Sequence, residues 1–366
     1  MDFDLRPGQR KAVDRARELG ERIAAAPSAA RALLKESRLY GLRVPRKLGG
    51  TGAGLLDSAL VLEALASAGA PLGELFVLGA HLFGGLQSLL DAKRLDARTA
   101  RAAAAGDHLV AHAVTEAQAG SDLSAVACAA RREGGGYRVT GRKSFVTGAP
   151  DAGSFVVYAK TSPRDGLFGL SAFWVDAAAG ARVGPELATA GLRARTAAVD
   201  FDARVPRASL LGKAGSGREL FRRVMQVERA ALPSIYLGQM DRLIRRTLSF
   251  ARERRQFSKP LLSNQAVSHK IAEHRLLLEQ SRLMLYRACW LLDQGRWAER
   301  EASLSKWLVT DSAVRVALES IQIHGASGLL EDAEVAAALR DAVPGRIFSG
   351  TNEIQKEIVL ESLKAA

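Results

Sequence analysis

Apolar residues recur every three or four positions through the first 110 or so residues, in AARALLKESRLYGLRV, SALVLEALASAG and ELFVLGAHLFGGLQSLL. That spacing predicts helices with one face turned inward. Between about 111 and 212 the period shortens. YRVTG, SFVVYAK, LSAFWVD and AAVDFDARV are short β-branched or aromatic runs punctuated by EGGG, SPRDG and AAAGA, and they predict strands joined by turns. After LLGKAGSG the helical period returns, predicting long helices over about 219–257, 264–294 and 302–324. Helices, a β module and more helices make an α+β protein of several domains, with boundaries expected at 1–110, 111–212 and 213–366.

Composition narrows the class. The 366 residues are 48% hydrophobic and 25% charged, enough to bury more than one core. Aromatics are sparse, so packing rests on Ala, Leu and Val, which favours helices. Cys128 and Cys289 offer neither a disulfide framework nor a metal cluster, which points to a reducing cytoplasm. The N-terminal MDFDLRPGQRKAVDRARELGERIAAA lacks a signal peptide's apolar core. The least charged run, Leu75 to Leu90, reads as too short and too rich in glycine to span a membrane. The expectation is a soluble cytoplasmic protein. Its formal net charge is +13, but arginine is spread along the chain without the aromatic interleaving of a nucleic-acid binder. An acidic macromolecule or a phosphorylated substrate fits that field, and so does plain heavy use of arginine.

Several motifs carry no chemistry on their own. LGGTGAG (48–54) and GKAGSG (212–217) lack the full phosphate-loop fingerprint and read as turns. His108 and His112 in HLVAH have zinc-like spacing without a third ligand, so they read as structural. No G-x-S-x-G elbow is present.

One carboxylate stands out. In ELFRRVMQVERAALPSIYLGQ the helical steps run Phe221, Val224, Met225, Glu228, Ala231, Leu232, Ile235, which puts Glu228 inside the apolar stripe. No basic residue lies three or four positions away to pair with it. Desolvation would raise its pKa and make it a base at neutral pH. A buried glutamate tied to an arginine from another segment fits the spacing equally well.

The motifs AVTEAQAGSDLSAV, GGGYRVTGRKSFVTGAPDAGSFVVYAKT, AGLRARTAAVDFDARVPRASLLG, ARERRQFSKPLLSNQAVSHKIAE, IQIHGASGLLEDAEVAAALRDA and FSGTNEIQ follow one another in an order and spacing that resembles the acyl-CoA dehydrogenase family nearly end to end. The resemblance implies a helical N-terminal domain, a central β-barrel and a C-terminal four-helix bundle. FAD would lie between the β domain and the bundle, and the assembly would be a homotetramer or homodimer. It implies that Thr115, Ser121 and Thr147 meet the flavin and pyrophosphate, beside Phe145 where the family usually has tryptophan. Arg254, Phe257, Gln265, Gln322 and Gly325 would contact the cofactor from a partner subunit, with Ala326 in place of a usual second glycine. Thr351 and Glu353 complete that set.

The family usually carries its base just before the glycine of the Gly-Thr-Asn turn, where this chain has Ser349. A minority places it on the bundle helix immediately before an arginine, and Glu228–Arg229 matches that position. Ser349 would then need only its backbone N–H, beside Gly350, to hold a thioester carbonyl. The implied activity is FAD-dependent α,β-dehydrogenation of an acyl thioester, with an electron-transfer flavoprotein or oxygen as acceptor. RRQFSKP and IFSGTNEIQ narrow the likeness to enzymes acting on acyl or aminoacyl groups tethered to carrier proteins in secondary metabolism, the prolyl type nearest. Such carriers are acidic and suit the positive field. An acyl-CoA dehydrogenase proper, a flavin-dependent oxygenase on the same fold, and a protein that keeps the fold only for flavin binding are the alternatives.

Overall fold

The computed structural model describes residues 4–364, the side chains of 163–165 excepted. Its N-terminal part is helical: α1 (Pro7–Ala25), α2 (Ala30–Glu36), α3 (Leu55–Ala68), α4 (Leu72–Gly79), α5 (Leu86–Asp91) and α6 (Ala97–Ala105). A π-helical segment, Ala80–Gly85, joins α4 to α5 in one continuous rod. This corrects the expectation for the apolar run: as the helix Leu72–Asp91 it is long and apolar enough to cross a membrane by length and composition, and 78% of its most apolar window is buried inside the protein. The glycines that argued against a long helix are points of close approach. A Cβ on Gly79 would meet the Leu232 side chain at 2.4 Å, and one on Gly85 would meet the Val110 carbonyl at 2.1 Å.

The β module holds β1 (Leu109–Ala113), β2 (Ala129–Glu133), β3 (Gly136–Thr147), β4 (Ala152–Lys160), β5 (Leu170–Asp176), β6 (Ala181–Glu186), β7 (Thr196–Pro206) and β8 (Leu210–Leu211). The strand order is β6-β7-β3-β2-β4-β5-β8, with β1 parallel beside β4. The four strands expected from sequence are β3, β4, β5 and β7. The β3–β7 ladder shifts register between Lys143 and Val146, a bulge that re-aims the residues inside it. The module's core is a second cluster, built on Tyr137, Phe155, Phe173 and Phe201, separate from the helical one.

The C-terminal part holds α7 (Gly217–Ala231), α8 (Ser234–Glu253), the two-residue strands β9 (Arg255–Gln256) and β10 (Lys259–Pro260), α9 (Gln265–Asp293), α10 (Glu299–His324), α11 (Glu334–Ala342) and α12 (Asn352–Lys364). The single helix expected over 219–257 is therefore two. Pro233 has no N–H to offer the Arg229 carbonyl, which interrupts the ladder, while Leu232 and Pro233 both keep right-handed backbone angles. The helical pattern also ends early, because RQFSKP folds into the β9–β10 hairpin with Phe257 at φ 50°. Arg242 and Arg246 of α8 both pair with Glu334 of α11, and Arg242 also donates to the Ala68 carbonyl at 3.2 Å. Arg242 thereby ties the bundle to the N-terminal helices. So does buried Glu63, which accepts from Arg282 Nε at 2.8 Å and from the Tyr286 hydroxyl at 2.5 Å.

Candidate active site

Glu228 sits on α7 among Val224, Met225, Ala231 and Leu232, all buried, and is itself 8% exposed. Its Oε1 accepts a hydrogen bond from the Ser349 hydroxyl. Its Oε2 lies 3.9 Å from His112 Nδ1 and packs against Gly84, where a Cβ would approach it to 2.8 Å. Gly84 belongs to the π segment, so the wide turn and the missing side chain together leave the carboxylate its space. Among the described residues no guanidinium clamps it. Arg229 instead sends Nε to the Ser349 carbonyl at 2.8 Å. The bland alternative, a glutamate tied to an arginine, is therefore overturned. Burial pushes the Glu228 carboxyl above its ordinary range, against the opposing pull of the Ser349 hydroxyl and the Arg229 charge.

His112 corrects the reading that set it aside as structural. It projects from β1 onto the carboxylate, and its Nε2 lies 3.4 Å from the Tyr158 hydroxyl. Burial, with a smaller contribution from the Lys143 charge, lowers it to about 4, so the ring is neutral at physiological pH. His108 goes elsewhere, to Ser154 Oγ at 2.8 Å. Among the described residues no three His, Cys, Asp or Glu side chains gather to hold a metal.

The Ser349–Gly350 turn is held from three sides. Both residues have positive φ, 55° and 86°, a conformation that costs a residue with a Cβ about 1–2 kcal/mol. Arg229 donates to the Ser349 carbonyl, while Lys306 Nζ donates to the Gly350 carbonyl at 2.9 Å and to Asn352 Oδ1 at 2.8 Å. Gln355 Nε2 also reaches the Gly350 carbonyl at 2.8 Å. Lys306 is fully buried, and burial, then the Arg229 charge, brings its ammonium down to about 7. Lys306, Asn352 and Gln355 escaped the sequence reading. Lys306 lies on the face of α10 that buries Ala302, Val309 and Ala313, the same signal that exposed Glu228, whereas the residues that α12 buries are Asn352 and Gln355 themselves, so no apolar stripe marks them. Ser349 also does more than expected, since its hydroxyl engages the Glu228 carboxylate directly.

Residues 8–91, 111–203 and 215–364 match in turn the N-terminal, middle and C-terminal domains of acyl-CoA dehydrogenases. The chain is 39% identical over 339 residues to the L-prolyl-[peptidyl-carrier protein] dehydrogenase of Pseudomonas fluorescens, covering 91% of this chain and 89% of the relative. This chain belongs to the acyl-CoA dehydrogenase family. It is also 32% identical over 364 residues to an acyl-CoA dehydrogenase of Bacillus subtilis, covering 98% of this chain and 96% of that one. Among solved structures, PigA with FAD and proline superposes with a TM-score of 0.94 at 34% identity, covering 100% of this chain and 99% of PigA. The prolyl acyl carrier protein oxidase AnaB superposes with a TM-score of 0.93 at 26% identity, over 98% and 100%.

In this acyl-CoA dehydrogenase family member the residues expected around a flavin fall into two groups. The first lies on the segment that follows β1, on β3 and at the start of α12. Three residues past His112, the Thr115 carbonyl accepts the Ser144 N–H at 2.8 Å, which brings the β3 bulge beside β1. A buried Lys143–Glu116 pair at 2.7 Å fixes that junction. At the bulge Phe145 is held at φ 53° and left 65% exposed. Thr147 is half-buried and Ser121 exposed, as are Thr351 and Glu353 respectively at the start of α12. An outward-facing aromatic flanked by hydroxyls suits a flat polar ring. The second group lies at the far end of α8. Arg254, Phe257, Gln265, Gln322 and Gly325 are exposed at the other end of α8, where Phe250 stacks on His324 at 4.2 Å. The 20 residues of α8 span about 30 Å.

Proposed function

We propose that this protein carries out FAD-dependent α,β-dehydrogenation of an aminoacyl thioester, with prolyl the favoured group, carried on a peptidyl carrier protein. The observation that carries the proposal is the desolvated, guanidinium-free carboxylate of Glu228. Relatives named for prolyl-carrier-protein chemistry at both the sequence and the structure level support the choice of substrate.

Glu228 takes the α-proton onto Oε2, the oxygen that the Ser349 hydroxyl leaves free. Neutral His112 stands 3.9 Å from that oxygen and places no second charge there. The turn at Ser349 and Gly350, locked by Arg229, Lys306 and Gln355, offers backbone N–H groups to the thioester carbonyl, where charge develops as the proton leaves. Bound FAD supplies the two-electron oxidant that loss of two hydrogens requires. Thr115, Ser121, Phe145, Thr147, Thr351 and Glu353 would hold it on one side. The exposed group at the far end of α8, including Phe257 at 92% exposure, would reach it from a second copy in a homo-oligomer. Cys128 and Cys289 are buried free thiols, in keeping with a reducing cytoplasm.

Anaerobic bleaching of the flavin by prolyl-loaded carrier protein tests the reading. Glu228→Gln keeps the shape and removes the base, so bleaching should slow by about 10²–10⁴-fold with FAD content unchanged. A variant within tenfold of wild type would overturn the base assignment. Equal bleaching by the matching CoA thioester would overturn the carrier assignment.

A further inference from the structure

The start of α7 lies beside a concavity that none of this chemistry uses. Its volume is about 510 Å³, and Arg94, Arg132, Arg207 and Lys213 line it without a carboxylate among them. Arg132 rests over the ring of Tyr137, 6.0 Å from its centroid. None of the four makes an ion pair among the described residues, whereas on β3 and β7 Arg138 pairs with Asp202, Arg142 with Asp200 and Arg204 with Glu133, each at 2.7 Å. Four like charges sharing a hollow repel one another, and an anionic partner relieves that repulsion while drawing field lines into the cavity.

Beside it lies a second cavity of about 910 Å³ that shares Arg132, Tyr137 and Ala214 with it and extends to Lys160, Phe168 and Gly215. Phe168 is 73% exposed, with Arg218 5.9 Å above its ring. Gly215 lies two residues before the start of α7, and Glu228 lies eleven residues along that helix from Gly217, about 16 Å of axial rise. Along the way Phe221 of α7 meets Tyr158 edge-on at 5.7 Å, and Tyr158 meets His112 at 5.4 Å. A phosphopantetheine arm is roughly thirteen bonds from phosphorus to sulfur, close to four peptide lengths, or about 14 Å extended. That length is close to the rise from Gly217 to Glu228, so an arm entering at the start of α7 carries its thioester toward Glu228.

We infer that the cavity of Arg94, Arg132, Arg207 and Lys213 is the docking surface for the acidic face of the carrier protein. The inference rests on the carrier-bound substrate proposed above and adds where that carrier sits. Charge complementarity and reach select a protein partner; a nucleic acid would use the cations but has no thioester to deliver.

The test uses the FAD-loaded enzyme and a triple variant, Arg132→Ser, Arg207→Ser and Lys213→Ser. A control removes the same charge elsewhere, with Arg10→Ser, Arg15→Ser and Arg17→Ser on the exposed side of α1. For prolyl-loaded carrier protein, kcat/KM should fall at least tenfold in the triple variant, with kcat nearly unchanged and a flatter dependence on salt. The same prolyl group on free pantetheine should react as in wild type. Anisotropy of labelled carrier protein reads docking without turnover, so docking and dehydrogenation fail separately. Wild-type binding that the triple variant loses supports the surface even if no thioester is oxidised. Equal binding by wild type and triple variant overturns it. An equal loss in the α1 control, or an equal loss for random duplex DNA, shows bulk charge at work and also overturns it.

Discussion

Replacing Ser349 by alanine isolates the contact that most directly sets the titration of Glu228, the proposed base. The hydroxyl donates to Glu228 Oε1 and lowers the carboxyl's affinity for a proton, opposing burial. A hydrogen bond to a charged group is worth about 1.5–3 kcal/mol, and 1.36 kcal/mol corresponds to one pH unit of titration. Losing it should move the Glu228 titration upward by about 1–2 pH units. The working form is the carboxylate, so kcat/KM climbs with pH through that titration. Stopped-flow bleaching under anaerobic conditions from pH 5 to 9 should show the acid limb displaced to higher pH in Ser349→Ala, with the alkaline plateau nearly kept. An unmoved limb, or one moved to lower pH, would refute the reasoning. Ser349→Gly removes the same hydroxyl while relaxing the left-handed backbone. A limb that differs from the alanine variant's would show that turn geometry, not the hydroxyl, sets the titration.

Two stability predictions follow from buried charges. Arg282→Met strands Glu63 in the interior and should cost about 3–5 kcal/mol at neutral pH, read from urea midpoints; a loss below 1 kcal/mol would mean that Tyr286 alone satisfies the acid. Burial, then the Arg229 charge, brings Lys306 down to about 7 in the folded protein, against about 10.4 for an unperturbed lysine. Between those values the unfolded chain binds more protons, so stability should rise with pH across that window. Lys306→Met lacks the titrating group, so the wild-type advantage over it should grow from pH 7 to 9.5 in urea unfolding, and a constant difference would contradict the linkage.

Glu228 could be read from the sequence because a helix repeats every 3.6 residues, and a carboxylate on the apolar stripe breaks the pattern visibly. His112 could not. Its carboxylate partner comes from a distant helix, and a histidine in a short strand has the same local pattern whether it faces a core or a site. The β3, β4, β5 and β7 strands alternate or run apolar, whereas β2 (AARRE) and β6 (ARVGPE) are largely exposed and carry charge, so no buried face marks them. Pro233 was in plain view, but the apolar stripe continues across it from Leu232 to Ile235, and periodicity hid the break. The turn at Ser349 was found through family likeness; its three buried donors depend on α7, α10 and α12 converging, which no local window contains.

The π segment at Ala80–Gly85 has an implication for how the domains are geared together. Upstream, Gly79 meshes with Leu232 of the bundle; downstream, Gly84 and Gly85 mesh with β1 and the carboxylate. A uniform α-helix advances 100° per residue and would offer these contacts at a different phase, so the loosened turn acts as a differential between two gear faces. Deleting one residue there would rewind the shaft and swing the downstream glycines off the β module, and the enzyme would lose the clearance around its base while every residue touching the substrate remained in place.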